Sequence, residues 1–253
     1  MNGNKKKVVL LQPRDRTLLG QLSLIKVVDR ELAKAIAGFN STTRANARLL
    51  ALTQAGLLKR TFIGSIAGGR KAVYRLSKKA LQEFSPDSVG KAEKEHSELF
   101  LEHQLKCNEI YALARQKNST PFVFDIWINF NGPISKTIPV IPDGYFELSD
   151  SSTVKSSFLE VDLGTEALKI WQRKVAGYLK LAVRGEFQER FRAATFKVLV
   201  VAQSEKRIEN IRRVVAKSTD KIFRFTTFQI INREGFWSPI WQKPVGDERE
   251  PLL

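Results

Sequence analysis

The chain has 253 residues, a mass of 28.7 kDa and a hydrophobic content of 43%, which suits one large or two small globular domains with a real core. Its single cysteine excludes an internal disulfide framework and a paired-cysteine metal site. No apolar run approaches the roughly 20 residues of a membrane span, so we expect a cytoplasmic protein with no membrane partner.

The net charge of +16 is distributed unevenly along the chain. Residues 1–86 contain 17 basic and 4 acidic side chains, whereas residues 87–253 contain 25 and 22. Charge needed only for solubility has no reason to be segregated in this way. The asymmetry predicts a polyanion-binding domain over 1–86 followed by a nearly neutral domain over 87–253.

The first domain is predicted to be a winged helix-turn-helix. Apolar residues at helical spacing indicate a first helix near 18–25, Asp29 is the expected N-cap of a second helix that ends near Gly38, and the polar run 40–43 precedes a third. The third helix should bury Ala45, Leu49, Leu50 and Leu52. Strand-like runs over 57–63 and 72–76 flank a glycine-rich basic tip at 64–71, and Ser77 is expected to cap a last helix.

This arrangement predicts binding to double-stranded DNA. An α-helix fits the major groove, and the start of the third helix carries side chains that can reach base edges or phosphates. The hairpin tip adds basic residues suited to phosphates or the minor groove. The predicted DNA-binding residues are Thr42, Thr43, Arg44, Asn46, Arg48, Arg70 and Lys71. A winged helix used for protein contacts is the alternative interpretation.

The second domain is predicted to be a three-layer α/β fold with a mixed sheet and the order α-β-β-β-α-β-α-β. After a linker at 85–90 and a Glu-rich helix, strands are expected over 121–130, 138–148, 155–163, 194–202 and 222–231. One helix should be capped by Thr165 and another should begin at Ser204. Trp237 and Trp241 are expected to cover a sheet edge or core margin, with a partner or dimer contact as the alternative.

Three acidic residues form the candidate catalytic feature. Strand alternation puts Glu160 and Asp162 on one face, and a neighbouring strand can bring Asp143 within reach. Such carboxylates repel one another unless a cation joins them, and Mg²⁺ is the natural candidate. The predicted metal ligands are therefore Asp143, Glu160 and Asp162, where a metal could activate water against a phosphodiester. The alternative is that the acids pair with lysines or with Arg173 and hold helix to sheet.

The winged helix, the His103 to Ile110 helix, the Pro142-Asp143 strand and the run Leu159 to Glu166 with Lys174 and Tyr178 resemble the replication-relaxation family of plasmids and mobile elements. The resemblance covers roughly residues 14–202. It implies a role in plasmid DNA relaxation, replication or mobilisation, and a second domain similar to the PD-(D/E)XK nuclease-like fold.

The resemblance also implies roles for individual residues. Glu109 corresponds to the helix carboxylate, Asp143 to the strand acid, and Glu160 to the acid that precedes the catalytic lysine. Asp162 occupies the lysine's place, which argues against activity because that lysine steadies the developing phosphorane charge. Lys174, or less favourably Lys169, could supply an ammonium from the following helix.

Three functions follow from these observations. The first is a sequence-specific DNA-binding protein in a bacterial cytoplasm, associated with a plasmid or the nucleoid, whose nuclease-like domain docks replication or relaxase machinery; on a palindromic site it would be a homodimer. The second is a Mg²⁺-dependent nickase or endonuclease. The third is a transcriptional regulator that needs no metal. A histidine-triad relaxase is not expected, because the chain has only 2 histidines.

Overall fold

The computed structural model describes residues 9–64, 68–86, 96–116 and 120–253, which form two compact units, Met1–Ala112 and Leu113–Leu253. Part of the predicted hairpin tip (65–67) and of the predicted linker lies outside the described residues. Within the described ranges, no helix combines the length and apolarity that crossing a membrane requires.

The first unit has three helices and a three-stranded sheet, followed by two further helices. Its sheet has the order β1-β3-β2 with antiparallel pairing throughout, so the predicted hairpin is present and β1 adds a third strand. The elements are α1 (Pro13–Ile25), β1 (Val28–Asp29), α2 (Arg30–Ala37), α3 (Thr42–Gln54), β2 (Leu58–Gly64), β3 (Arg70–Leu76), α4 (Lys78–Phe84) and α5 (Glu98–Ala114).

Local capping explains where these helices begin and end. Asp29, Ser41 and Ser77 each accept a hydrogen bond from a backbone N–H of the helix that follows, and Gly38 ends α2 in the left-handed conformation. Leu18, Leu22, Ala45 and Leu49 are buried as predicted. The expectation for Leu50 was wrong: it is 40% exposed, because it lies off the stripe formed by its neighbours on α3.

Helix α5 is tied to the first unit by Asn108. The buried side-chain amide donates to the carbonyls of Ile25 (2.9 Å) and Val27 (2.7 Å), on either side of Lys26. Lys26 has a φ of 70°, which is unusual for a residue with a side chain. Asn108 thus stabilises the turn that ends α1. The boundary predicted at residue 86 stays a prediction, and α5 belongs to the first compact unit up to residue 112.

The second unit is an α/β fold with a mixed sheet, as predicted. The sheet has seven strands, two more than expected, in the order β10-β9-β8-β7-β6-β5-β4. Strands β6, β7 and β8 are parallel and the other pairs are antiparallel. The elements are β4 (Val123–Ile128), β5 (Gly144–Ser149), β6 (Val154–Asp162), α6 (Leu168–Val183), α7 (Glu186–Arg190), β7 (Phe196–Ala202), α8 (Glu205–Ala216), β8 (Phe223–Thr227), α9 (Phe228–Glu234), β9 (Trp241–Gln242) and β10 (Arg249–Glu250).

One face of this sheet packs against α6 and α8 through a large aromatic and aliphatic core. Phe158, Val198 and Phe225 contribute from the strands, and Trp171 and Ile211 from the two helices. Burial of this apolar surface is the main favourable contribution to the stability of the unit. Trp241 is fully buried and its indole N–H donates to the carbonyl of Phe236 at 3.1 Å, so it belongs to the core of the unit.

Three predicted boundaries were wrong for identifiable reasons. The strand expected from residue 138 begins at Gly144, because Pro139 and Pro142 have no N–H for a sheet ladder. The strand expected to reach residue 231 ends at Thr227, whose hydroxyl accepts from the Ile230 N–H and starts α9. Thr165 does not cap α6, which begins at Leu168 after a turn with positive φ at Gly164.

Candidate functional site

The first candidate surface is the beginning of α3. Ser41 accepts from the Arg44 N–H at 3.2 Å and fixes this helix end, while Thr43, Arg44 and Asn46 are exposed. Thr42 is half-buried and accepts from the Lys34 ammonium at 3.3 Å. The exposed side chains offer cationic, amide and hydroxyl groups on one helix turn, which are groups that hydrogen bond to base edges and phosphates.

Arg48 does not face outward as predicted. Its guanidinium Nε donates to Oδ1 of Asp15 at 2.8 Å, and a terminal nitrogen donates to the carbonyl of Leu10 at 2.7 Å. Asp15 is fully buried, and it also accepts from the Gln12 N–H at 2.6 Å. The hydrogen bond to Asp15 raises the pKa of Arg48. Arg48 thus links α3 to α1. Its side chain turns towards α1 because the buried carboxylate of Asp15 needs a cation.

The hairpin presents a second basic surface with an aromatic centre. Phe62 is 41% exposed, and the guanidinium carbons of Arg60 and Arg70 lie 5.2 Å and 5.8 Å from its ring centroid. Lys71 is not at the tip: it lies in β3, and its ammonium pairs with Asp29 at 3.1 Å. The sequence analysis did not single out Arg60 and Phe62, although strand alternation places these two residues on the same face of β2.

The second candidate site lies where β5 begins. Gly144 pairs with Leu159 in antiparallel register, which places Asp143 beside Glu160 as predicted. Asp143 is half-buried, and its Oδ2 accepts from the Val161 N–H at 2.7 Å. This backbone contact fixes the carboxylate at the edge of the acidic cluster.

Glu160 is fully buried and has partners on α6. Its Oε2 accepts from the Lys174 ammonium at 2.8 Å, and its Oε1 accepts from the hydroxyl of Tyr178 at 2.5 Å. Burial, with a smaller contribution from Asp143, raises the pKa of Glu160 to about 7, against the attraction of Lys174. Lys174 also binds both carboxylate oxygens of Glu166, at 2.8 Å and 3.0 Å. The lysine on the helix therefore supplies the cation for this cluster.

Asp162 is fully buried on the same face and has four donors. Arg207 of α8 donates to both oxygens at 2.8 Å and 2.7 Å, the Trp171 indole donates at 2.8 Å, and the Gly164 N–H donates at 2.7 Å. Burial alone would raise the pKa of Asp162, but these donors lower it. The partner is Arg207 rather than Arg173, because α8 packs beside α6 and reaches the end of β6.

The arrangement does not fit the predicted Mg²⁺ site of three carboxylates. Mg²⁺ needs free carboxylate oxygens with room for water. Both oxygens of Asp162 accept from Arg207, and both oxygens of Glu160 accept from Lys174 and Tyr178. Two protein cations thus neutralise the two strand acids, and Asp143 is the half-buried member of the set.

Glu109, predicted as the helix carboxylate, belongs to the first unit. Its oxygens accept from the Lys106 ammonium at 2.8 Å and 2.9 Å, one turn earlier on α5. This is an ordinary helix-surface pair, worth about 0.3 kcal/mol in isolated helices. Its role beside Asp143 stays a prediction.

Comparison with known proteins identifies a family, and the solved structures that are similar to the chain include two of one endonuclease. The model of the replication-relaxation family matches residues 26–198. The chain is similar to the restriction endonuclease FokI with 12% identity and a TM-score of 0.33, covering 85% of this chain and 41% of that one. The chain is also similar to FokI bound to DNA, with 11% identity and a TM-score of 0.35, covering 90% of this chain and 46% of that one. The chain spans less than half of either structure, and similarity at this level does not transfer an activity. Among curated proteins no sequence matches.

Proposed function

The chain belongs to the replication-relaxation family, and from that premise we propose that it binds double-stranded DNA through α3 and the β2–β3 hairpin. In this proposal it supports replication, relaxation or mobilisation of a plasmid or other mobile element in a bacterial cytoplasm. The second unit serves as a docking platform for replication or relaxase machinery, and a homodimer forms where the DNA site is palindromic.

The observation that carries this proposal is the exposed polar turn at the start of α3. Arg44 and Asn46 are exposed there, and exposed Arg60 and Arg70 flank Phe62 on the hairpin. Residues 1–86 carry 17 of the 42 basic side chains but only 4 of the 26 acidic ones. An unbalanced positive surface around a helix with base-reading side chains is suited to a duplex rather than to an acidic protein, because the amide of Asn46 matches an adenine edge.

The ion pairs in the second unit support a platform rather than a catalyst. Glu160 and Asp162 are buried and hydrogen-bonded to Lys174 and Arg207, so the strand acids link α6 and α8 to the sheet. Breaking a buried pair of this kind costs about 3–5 kcal/mol. That dependence gives these residues a structural role without any reaction.

The proposal is tested by measuring binding of the full chain to duplex DNA by fluorescence anisotropy. A library selection first identifies the preferred site. Arg44→Ala and Asn46→Ala should each weaken binding to that site by 1–3 kcal/mol, roughly 5- to 150-fold, and relax the preference at one base position. Arg213→Ala is the matched control. It removes an arginine from α8, outside the proposed DNA surface, and the side chain of this arginine is 72% exposed. Unchanged affinity in both α3 variants would overturn the assignment of α3.

Salt dependence provides a second measurement. The logarithm of the wild-type association constant should fall linearly with the logarithm of the salt concentration. Arg70→Ala should reduce the magnitude of this slope by about 1, since one phosphate contact is lost. Binding that is equally weak at every salt concentration and for every sequence contradicts the proposal. A preferred site over a promoter, with no plasmid-processing partner, would instead favour the transcriptional regulator.

A further inference from the structure

A cavity of about 310 Å³ lies in the second unit at the amino ends of β6 and β7. Its walls include Phe146, Leu148 and Trp237, which are apolar or aromatic, and the hydroxyl-bearing Ser157. Two lysines, Lys155 and Lys197, line it as well. The volume is at the low end for small-molecule sites, and apolar walls with a few polar groups are typical of them.

Strand register brings the cations of this region onto one face. Ser157 pairs with Lys197, so Lys155, two residues earlier on β6, is a diagonal neighbour of Lys197 on the same face. Leu199 pairs with Arg224, which places Arg224 diagonally on the other side of Lys197. Three cationic side chains therefore cross β6, β7 and β8 in a row, on the face opposite α6.

The acidic side chain that pairs with this row of cations, Glu250, binds two cations at once. Glu250 of β10 pairs with Arg224, and its other oxygen lies 3.0 Å from the Lys243 ammonium. Lys197 donates to a neutral group, the carbonyl of Leu252, at 2.7 Å. Burial, followed by repulsion from Arg224, lowers the pKa of Lys197 to about 8. Positive charge thus exceeds negative charge at a partly enclosed position, which favours an anion.

We propose that this cavity binds a small phosphate monoester, with Lys155 and Lys197 holding the phosphate and the apolar wall formed by Phe146, Leu148 and Trp237 contacting the rest of the ligand. Two ammonium groups and a hydroxyl match the charge and the acceptor oxygens of a phosphate. The cavity is too small for a duplex, so this site is separate from the proposed DNA surface of the first unit. A nucleoside monophosphate carries the required phosphate and a flat ring.

The test is calorimetric titration of the full chain with deoxyadenosine monophosphate and, separately, with inorganic phosphate. Wild type should bind the nucleotide at one site, and phosphate more weakly because it lacks the ring. Lys197→Met and Lys155→Met should each weaken nucleotide binding at least tenfold. Lys206→Met, which removes an exposed lysine from α8, is the matched control and should change nothing. Circular dichroism melting shows whether each variant is folded.

Lys197→Arg provides a second variant that keeps the charge and should retain most of the binding. The proposal is overturned if wild type gives no saturable heat, or if the folded methionine variants bind as tightly as wild type. A terminal phosphate on a DNA strand is the other source of this chemistry. It is tested by competition with a 5′-phosphorylated oligonucleotide and with its unphosphorylated form. The site would be assigned to DNA ends if the phosphorylated form competed much better than the unphosphorylated one and better than the mononucleotide.

The pH dependence provides an independent measurement. The charged groups that face Lys197 are Lys155, Arg224, Lys243 and Glu250. Because the Lys197 ammonium deprotonates near pH 8 in the free protein, nucleotide affinity should fall between about pH 7 and pH 9, where the ligand phosphate stays dianionic. Lys197→Arg should remove this fall. Identical pH profiles for wild type and Lys197→Arg would contradict the role of Lys197.

Discussion

At the scale of single residues, position 162 decides how the acidic cluster is neutralised. An aspartate stands where the resemblance implies a lysine, and Arg207 binds it through two hydrogen bonds. The ammonium that reaches Glu160 comes from Lys174 on α6 instead. Each buried acid therefore has its own helix cation, which lets β6 carry two carboxylates inside a hydrophobic core.

Glu160 should make the stability of the protein depend on pH. Burial raises the pKa of Glu160 to about 7. At pH values between its ordinary pKa and this raised pKa, the native state therefore binds more protons than the unfolded chain. Wild-type stability attributable to this group is therefore fully present at low pH and is lost as the pH rises. In urea denaturation, the free energy of unfolding of Glu160→Gln should rise relative to that of wild type by about 2 kcal/mol as the pH is raised from about 5 to about 8.

The control for this experiment is Glu209→Gln, the same chemical change at an exposed position of α8. Comparing the two variants removes the effect of pH on the rest of the molecule. If the difference between Glu160→Gln and wild type stayed constant over this range, Glu160 would not have the raised pKa that its burial indicates.

At the scale of elements, close packing of α6 depends on a glycine. A Cβ added to Gly177 would overlap the Cγ2 methyl of Val140, a buried residue in the segment before β5. Helix propensity favours alanine over glycine by about 1 kcal/mol, whereas overpacking of a core costs about 1–3 kcal/mol. The overlap outweighs the propensity, so the glycine sets how closely the segment approaches the helix.

Gly177→Ala should therefore destabilise the protein by about 1 kcal/mol in urea denaturation. Gly20→Ala in α1 is the matched control, because its added Cβ meets no atom within 4 Å among the described residues beyond its own stretch of helix, and it should stabilise by up to about 1 kcal/mol. Combining Gly177→Ala with Val140→Ala should cost less than the sum of the single changes. A stabilising Gly177→Ala would show that Val140 moves aside freely.

At the scale of the whole molecule, the charge is unevenly distributed along the chain. Residues 1–86 hold a strong positive excess, whereas residues 87–253 are nearly balanced, with 25 basic and 22 acidic side chains. Several of those acids form ion pairs inside the second unit, as Glu160, Asp162 and Glu250 do. The charge that the proposed DNA binding requires therefore lies mainly in residues 1–86.

The full chain should leave supercoiled plasmid intact in the presence of Mg²⁺ or Mn²⁺, as judged by agarose electrophoresis. Lys174 and Arg207 neutralise the strand acids that a metal would need. Asp143→Asn and Glu160→Gln are run alongside wild type. Metal-dependent open-circle formation that disappears in both variants would establish the nickase, whereas equal nicking by all three proteins indicates contamination.

The sequence by itself determined the local structure and the family. Apolar spacing, capping residues such as Asp29 and Ser204, and the charge asymmetry are local signals, so they predicted most helices, the mixed sheet and the resemblance. Strand alternation also put Glu160 and Asp162 on one face, because the period of a strand is fixed by its backbone.

Only the tertiary structure decided which groups those side chains meet. Arg48 binds Asp15, 33 residues earlier, and Asp162 binds Arg207, 45 residues later, and no local pattern specifies such a pairing. The same holds for the row of Lys155, Lys197 and Arg224, which comes from the order of the strands. Burial and charge pairing depend on packing between distant segments, and they changed the acidic cluster from a candidate metal site into a set of buried ion pairs.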